Sequence, residues 1–191
     1  VQRTFSLTHR HFGAVPEPGE LTSDDAAVLA AVEGGFVTVG DHLDAARFRA
    51  GLAEAMRLSA SVNRYLGEQE PWKTINADEA RAATVLWVAL QCVDNLKTLI
   101  APFLPFSSQR LHEVLGGEGT IAPMPELVGG AAPNDSGHRA LTGRYQLGGW
   151  EPSRLPPGRP LAVPAPLFRK LDPATTDDEV ERMAQRAASR A

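Results

Sequence analysis

The sequence predicts an all-α fold, an antiparallel helical bundle with a long irregular Pro/Gly-rich segment and a C-terminal helix. Apolar residues recur every three or four positions through successive segments as far as residue 116, which is the helical period. No period-two alternation persists long enough to build a sheet. Gly and Pro clusters fall mostly between the periodic segments. At 191 residues and 43% hydrophobic content, the chain supports one domain with a sizeable core. It is expected to divide into a core bundle over 1–116, an irregular connection packed on it over 117–175, and a terminal helix over 176–191.

Residues 1–12 read as the tail of a helix, with Val1, Phe5 and Phe12 and either Leu7 or Thr8 as a partial stripe. GAVPEPGEL is a turn-rich break. A second helix begins at Thr22 or Ser23, either of which serves as a cap, with Asp24 and Asp25 at its positive end. Leu29, Val32, Phe36, Val39 and Leu43 form its buried face. Gly34-Gly35 predicts a bend or a close approach to a neighbour. A third helix starts near Asp44 or Ala45, buries Phe48, Leu52, Ala55, Met56, Ser59, Val62 and Leu66, and stops near Gly67 as a C-cap. The fourth runs from about Asp78 to Ala101 on a stripe of Val85, Leu86, Ala89, Val93, Leu96 and Ile100, with Pro102 ending it. Asp94 and Lys97 read as a surface pair. A short fifth helix is capped by Ser107 or Ser108 and closed by Gly116.

Residues 117–166 then hold nine of the fifteen prolines, and Trp150, Leu155, Leu161 and Val163 are its expected anchors. GRPLAVPAPLFRKLD is expected to lie extended across the bundle and bury Leu161, Val163, Leu167 and Phe168. The last helix, DDEVERMAQRAAS, offers only a narrow stripe of Val180, Met183 and Ala187.

Composition excludes several classes. No run approaches the roughly 20 apolar residues of a membrane span. VQRTFSLTHRHFG has neither the apolar region nor the cleavage site of a signal peptide, and it lacks an initiator Met, so the chain reads as a piece of a longer one. The single Cys92 sits in an apolar helical pattern and reads as a small buried hydrophobe in a reducing cytosol. A net charge of −4 argues against nonspecific nucleic-acid binding, which needs a basic surface. It leaves room for recognition by a few Arg and aromatic side chains on one face.

Chemistry is sparse. The sequence contains no phosphate-binding P-loop, no GxGxxG, no GxSxG and no HExxH. His9 and His11 diverge on a helix and cannot chelate one metal from it. No nucleophile has a credible base. What remains is the corner NRYLGEQEPWK, residues 63–73. Asn63 and Arg64 near a helix end, with Trp72 just beyond Pro71, fit a stacking platform for an unpaired base with an amide and a guanidinium beside it. The competing reading is Trp72 as a core plug or as the closure of a helix–helix corner.

That corner resembles the anticodon-binding domain of methionyl-tRNA synthetases, in which N-R-Y-x-x-E-Q-x-P-W ends one helix of an α-helical bundle. The likeness continues in order through FSLTHRHFGAVPEPGEL, VDNLKTLIAPFLPFSSQRLHEVLG and GRPLAVPAPLFRKLD, so it spans most of the chain. The resemblance implies that the full enzyme activates methionine with ATP and transfers it to tRNA. The HIGH-like and KMSKS-like motifs of its catalytic domain do not occur here, which puts that domain upstream of Val1, together with ATP and zinc as its cofactor candidates. This chain is then expected to need no cofactor, to be non-catalytic alone, to be cytoplasmic without a membrane partner, and to read the CAU anticodon of methionine tRNA. By the same resemblance, Trp72 stacks on the anticodon loop, Pro71 orients it, and Arg3 on the opening helix contacts the first anticodon base. The family's companion Asn would precede Val1. Asn63 matches the helix-end Asn, either as an RNA contact or as a cap of the corner. The alternative is a structural or protein-interaction bundle that no longer binds RNA.

Overall fold

The computed structural model describes residues 2–121, 127–129, 139–141, 149–168, 172 and 174–188. The order is α1 (Gln2–His11), α2 (Ser23–Asp44), α3 (Phe48–Gln69), α4 (Pro71–Thr74), α5 (Glu79–Ile100), α6 (Pro105–Val114), β1 (Leu127–Gly129), β2 (Arg139–Leu141) and α7 (Ala174–Ala188). The helical bundle is as predicted. The two strands form a three-residue antiparallel ladder, Leu127 opposite Leu141, inside the segment expected to be irregular.

Local signals set the helix starts. Thr22 caps α2 in a reciprocal box, its hydroxyl accepting from Asp25 N–H while the Asp25 carboxylate accepts from Thr22 N–H at 2.9 Å. Asp78 caps α5 by accepting from Arg81 N–H at 2.9 Å. Pro105 occupies the first turn of α6 and Leu104 the cap position, so neither Ser107 nor Ser108 caps that helix. Ser108 is instead buried.

The core forms where α2 and α3 pack on each other and on α5. α5 is not merely amphipathic. Seventeen of its 22 residues are buried, so it is the central helix, enclosed on every side. Its Asp94 and Lys97 are therefore an internal ion pair, each about 5% exposed, not a surface pair. The buried seam of α3 keeps Ala55, Val62 and Leu66 of the expected one and otherwise differs. Gly51, Ala55, Leu58, Val62, Tyr65 and Leu66 face inward, whereas Phe48, Leu52 and Met56 are exposed. Both series satisfy a helical period. The small Gly51 and Ala55 bring the α3 backbone close to its neighbours, and the Leu58–Tyr65 phase follows.

By length and composition α2 and α5 could each cross a membrane, at a mean hydropathy of 1.2 over 18 residues. That window of α5 is 89% buried inside the protein, as a core helix is. Cys92 is also fully buried, and desolvation pushes its thiol up to about 12, so it stays protonated and unreactive.

Gly34-Gly35 resolves into one tolerant and one intolerant position within the continuous α2. A Cβ on Gly35 would stand 2.5 Å from Leu58 Cδ1 and 2.8 Å from Leu99 Cδ1, whereas one on Gly34 meets nothing within 4 Å. Gly34→Ala should therefore stabilise by about 0.5–1 kcal/mol through helix propensity. Gly35→Ala should destabilise, because overpacking costs about 1–3 kcal/mol and exceeds the same propensity gain. Urea unfolding of the two variants separates them by the sign of the shift.

The polar residues of α5 hold the returning segment. Gln91 exchanges two hydrogen bonds with the backbone of Leu155, at 2.8 and 2.9 Å. Asn95 does the same with Ser153, at 3.1 and 2.8 Å. Asp94 accepts from Ser153 Oγ and from Lys97. Two side-chain amides one helical turn apart thus act as a surrogate strand for an extended stretch. Trp150 donates its indole N–H to the Phe36 carbonyl at 2.8 Å. Leu155 and Leu161 are buried anchors as expected, but Val163 and Phe168 are exposed and Leu167 is half-buried. The extended chain satisfies its backbone here by pairing around Ala14 and Pro160, and that register leaves Val163 facing outward. Val1 and residues 169–171 lie outside the described residues. Residues 176–188 of α7 are exposed throughout, with Val180 and Met183 uncovered.

Candidate nucleic-acid interface

The corner after α3 is built from two abutting helices. α3 continues to Gln69, past the predicted stop at Gly67, and Glu70 (φ 40°, ψ 55°) ends it in the left-handed region. Pro71 then opens the single turn of α4, where its missing N–H costs nothing. Glu70 serves both helices. Its N–H donates to Leu66 O at 3.0 Å, and its carbonyl accepts from the N–H groups of Lys73 (2.8 Å) and Thr74 (3.1 Å). These bonds hold a non-glycine residue in a conformation that costs roughly 1–2 kcal/mol. Pro71 and Ile75 are buried and anchor the turn.

Trp72 stands between these anchors, half-buried and packed on the edge of the main core. It is neither a core plug nor free of the core. Across from it, on α1, the exposed Arg3 places its guanidinium carbon 4.5 Å from the indole centroid, a cation–π contact. Arg3, Asn63, Pro71 and Trp72 all line one cleft of about 450 Å³, with Gly67 and Leu7 completing its floor and wall. Asn63 is exposed in the body of α3, six residues before the helix ends, so it does not cap that corner. Gly67 borders open space in this cleft, since a Cβ there would meet nothing within 4 Å. Arg64, next to Asn63 in sequence, turns away. It lines a separate shallow groove with Asp24, Tyr65 and Glu68.

What fixes this corner is not legible in the sequence. Asp25, read as a helix-dipole residue, is 0% exposed and central to a network joining three helix ends. Arg81 donates to both of its oxygens, at 2.5 and 2.9 Å, and Tyr65 OH donates at 2.5 Å. Arg81 also donates to Gln69 Oε1 at 2.7 Å. The capping spacing Thr22-x-x-Asp25 was the one local signal available, and it identifies the cap alone.

Burial pushes the Asp25 carboxyl pKa upward, but the hydrogen bonds from Arg81, Tyr65 and Thr22 outweigh it and hold the group well below the usual carboxylate range. Burial first, and then the hydrogen bond to Asp25 and its charge, push the Tyr65 phenol up, so it stays a donor. The depressed Asp25 value sets a sign. Its contribution is complete above the unfolded pKa of about 3.9 and shrinks as pH falls towards the lower folded value. Thermal melts should show this term constant from pH 8 to 5 and declining below about pH 4. In Asp25→Asn that share of the acid limb should vanish.

No group of three or more His, Cys, Asp or Glu among the described residues could hold a metal. The cleft offers an aromatic face, a guanidinium and an amide, the set that holds an unpaired base by stacking and by its edges.

A sequence-family profile described as the anticodon binding domain of methionyl tRNA ligase matches residues 15–128. A methionine–tRNA ligase of Chloroflexus aggregans is 55% identical over 97% of this chain and 31% of its own length. That of Roseiflexus castenholzii is 53% identical over 96% of this chain and 31% of its own. Among solved structures, the apo form of Mycobacterium tuberculosis methionyl-tRNA synthetase superposes with a TM-score of 0.69 at 30% identity, covering 90% of this chain and 31% of that one. The same enzyme in complex with methionyl-adenylate gives 0.67 at 28% identity, over 88% of this chain and 30% of that one. The chain thus spans about a third of the length of the relatives it matches.

Proposed function

This chain belongs to the family of methionyl-tRNA ligase anticodon-binding domains, and from that premise we propose that it is the RNA-reading part of a longer methionine–tRNA ligase. Its partner in this reading is methionine tRNA, and the bases read are those of the CAU anticodon. The single observation that carries the reading is the convergence of Arg3, Asn63, Pro71 and Trp72 on one open cleft. An unstacked anticodon base lies on the Trp72 indole, whose direction Pro71 sets. Arg3, which rests against that ring in the free chain, turns to the edge of the first anticodon base. Asn63 supplies an amide on the same wall. The wider region 1–191 acts as one anticodon-binding unit, with residues 1–116 as its bundle. Methionine activation, ATP and zinc belong to the catalytic remainder of the longer protein, which works in the cytoplasm.

The charge balance agrees with a short-range mode of binding. A chain of net charge −4 gains little from phosphate attraction, so affinity rests on stacking and base edges. A hairpin carrying the CAU loop should bind this chain weakly but more tightly than one with a changed first base. Arg3→Ala should erase that preference, worth about 1–3 kcal/mol for a bidentate base contact. Calorimetric titration of the two hairpins tests this. Equal affinity of the wild-type chain for both would remove the reading.

A further inference from the structure

The side chain of Arg81 does not line the Trp72 cleft, yet it holds the residue from which the cleft's corner starts. Gln69 is the last residue of α3, and the left-handed Glu70 separates it from Pro71 and Trp72. Gln69 is fastened at two points. Its side-chain oxygen accepts from Arg81 Nη2 at 2.7 Å, and its main-chain carbonyl is 3.4 Å from the Thr74 hydroxyl donor. Arg81 itself has little freedom. Its two terminal nitrogens are bound bidentately by the wholly buried Asp25 carboxylate, which the Tyr65 hydroxyl also holds. A planar guanidinium pinned along one edge aims its remaining N–H in a defined direction, and here that direction is Gln69. The first turns of α2 and α5 and the last turn of α3 therefore meet on one rigid group. Released from it, the last turn of α3 can fray, and the strained Glu70 can relax away from the geometry that points Trp72 towards Arg3.

We propose that Arg81, fixed by Asp25, is a positioning residue for base recognition: through Gln69 it sets the direction of Trp72 without touching RNA. The proposal rests on the anticodon reading above. The test replaces Gln69, which leaves the Asp25–Arg81–Tyr65 contacts in place. Gln69→Met keeps length and helix propensity but loses the acceptor, and Gln69→Glu keeps the acceptor. The chain is labelled with fluorotryptophan, so that the three Trp give separable fluorine resonances, and Trp72→Ala assigns the one in question. Gln69→Met should shift or broaden the Trp72 resonance and weaken CAU-hairpin binding by about tenfold, the scale of one hydrogen bond to a charged group, while the melting temperature falls by only about 2–6 °C. Gln69→Glu should return the resonance to its wild-type position. An unmoved Trp72 resonance in Gln69→Met, or a lowered melting temperature with unchanged affinity, overturns the proposal. Loss of binding in Trp72→Ala with none in Gln69→Met overturns it alone. Equal binding by Trp72→Ala and wild type overturns the anticodon reading, and this proposal with it.

Discussion

Trp72→Ala is expected to weaken binding of the anticodon hairpin by about 5- to 150-fold, the 1–3 kcal/mol that a base loses with its aromatic platform. The effect on stability should be smaller than for a core aromatic. A buried Trp truncated to Ala costs about 3–5 kcal/mol. Trp72 is half-buried, and its turn is anchored independently by the buried Pro71 and Ile75, so about 1–2 kcal/mol is expected for the apolar area lost. In a full-length methionine–tRNA ligase carrying the same change, methionyl-adenylate formation should stay at the wild-type rate while charging of tRNA falls. Charging kinetics measured beside a thermal melt make the distinction. A variant that unfolds early but charges normally while folded would leave Trp72 as a packing residue only.

Asp25→Ala is expected to be the most destabilising single change at the network. It removes a fully buried carboxylate and strands three donors at once: the Arg81 guanidinium, the Tyr65 hydroxyl and the Thr22 N–H. Breaking a buried pair by deleting one partner costs about 3–5 kcal/mol. Arg81 is 23% exposed, so water re-solvates part of it, and the lower end of that range is expected. For a chain of this size that corresponds to a fall of about 6–12 °C in melting temperature. Asp24→Ala, one residue earlier and exposed, should stay within about 0.5 kcal/mol of wild type. If the two variants melt together, the network contributes nothing beyond helix-dipole complementation. If Asp25→Ala also weakens hairpin binding in the temperature range where it is fully folded, the coupling from network to cleft gains a second support.

The extent of legibility follows from the range of each signal. The bounds of α5 came within a residue of those observed, because Asp78 caps it and the Pro-containing turn after Ala101 follows it. The start of α2 is legible to within one residue, Thr22 or Ser23, for the same reason, since capping acts between residues three apart. Local signals place the end of α3 too early, because Gly67 resembles a C-cap. The actual stop depends on Glu70 accepting a left-handed conformation that bonds to both α3 and α4 make tolerable. The phase of α3 was ambiguous because Phe48-Leu52-Met56 and Gly51-Ala55-Leu58 are both helical stripes. Only the packing of α2 and α5 decides which is covered. The sequence alone places the Asp94–Lys97 pair on the surface, because charge favours exposure. It is inside because α5 is the central helix of the bundle, and Ser153 of the returning segment donates to Asp94 there.

The candidate site divides in the same way. The residues of NRYLGEQEPWK by themselves determine which side chains of that corner are available for stacking and base-edge contacts, whereas Arg3 enters only through the family resemblance. Chemistry of that kind resides in residue type and close spacing. The tertiary structure alone decided that Arg3 lies over Trp72 from a different helix, that Asn63 faces the same cleft while Arg64 does not, and that Asp25 reaches Tyr65 and Arg81 across 40 and 56 residues of sequence. The physical reason is one of distance. Propensity and capping act within a helical turn, whereas burial and desolvation depend on whichever segments the core brings together.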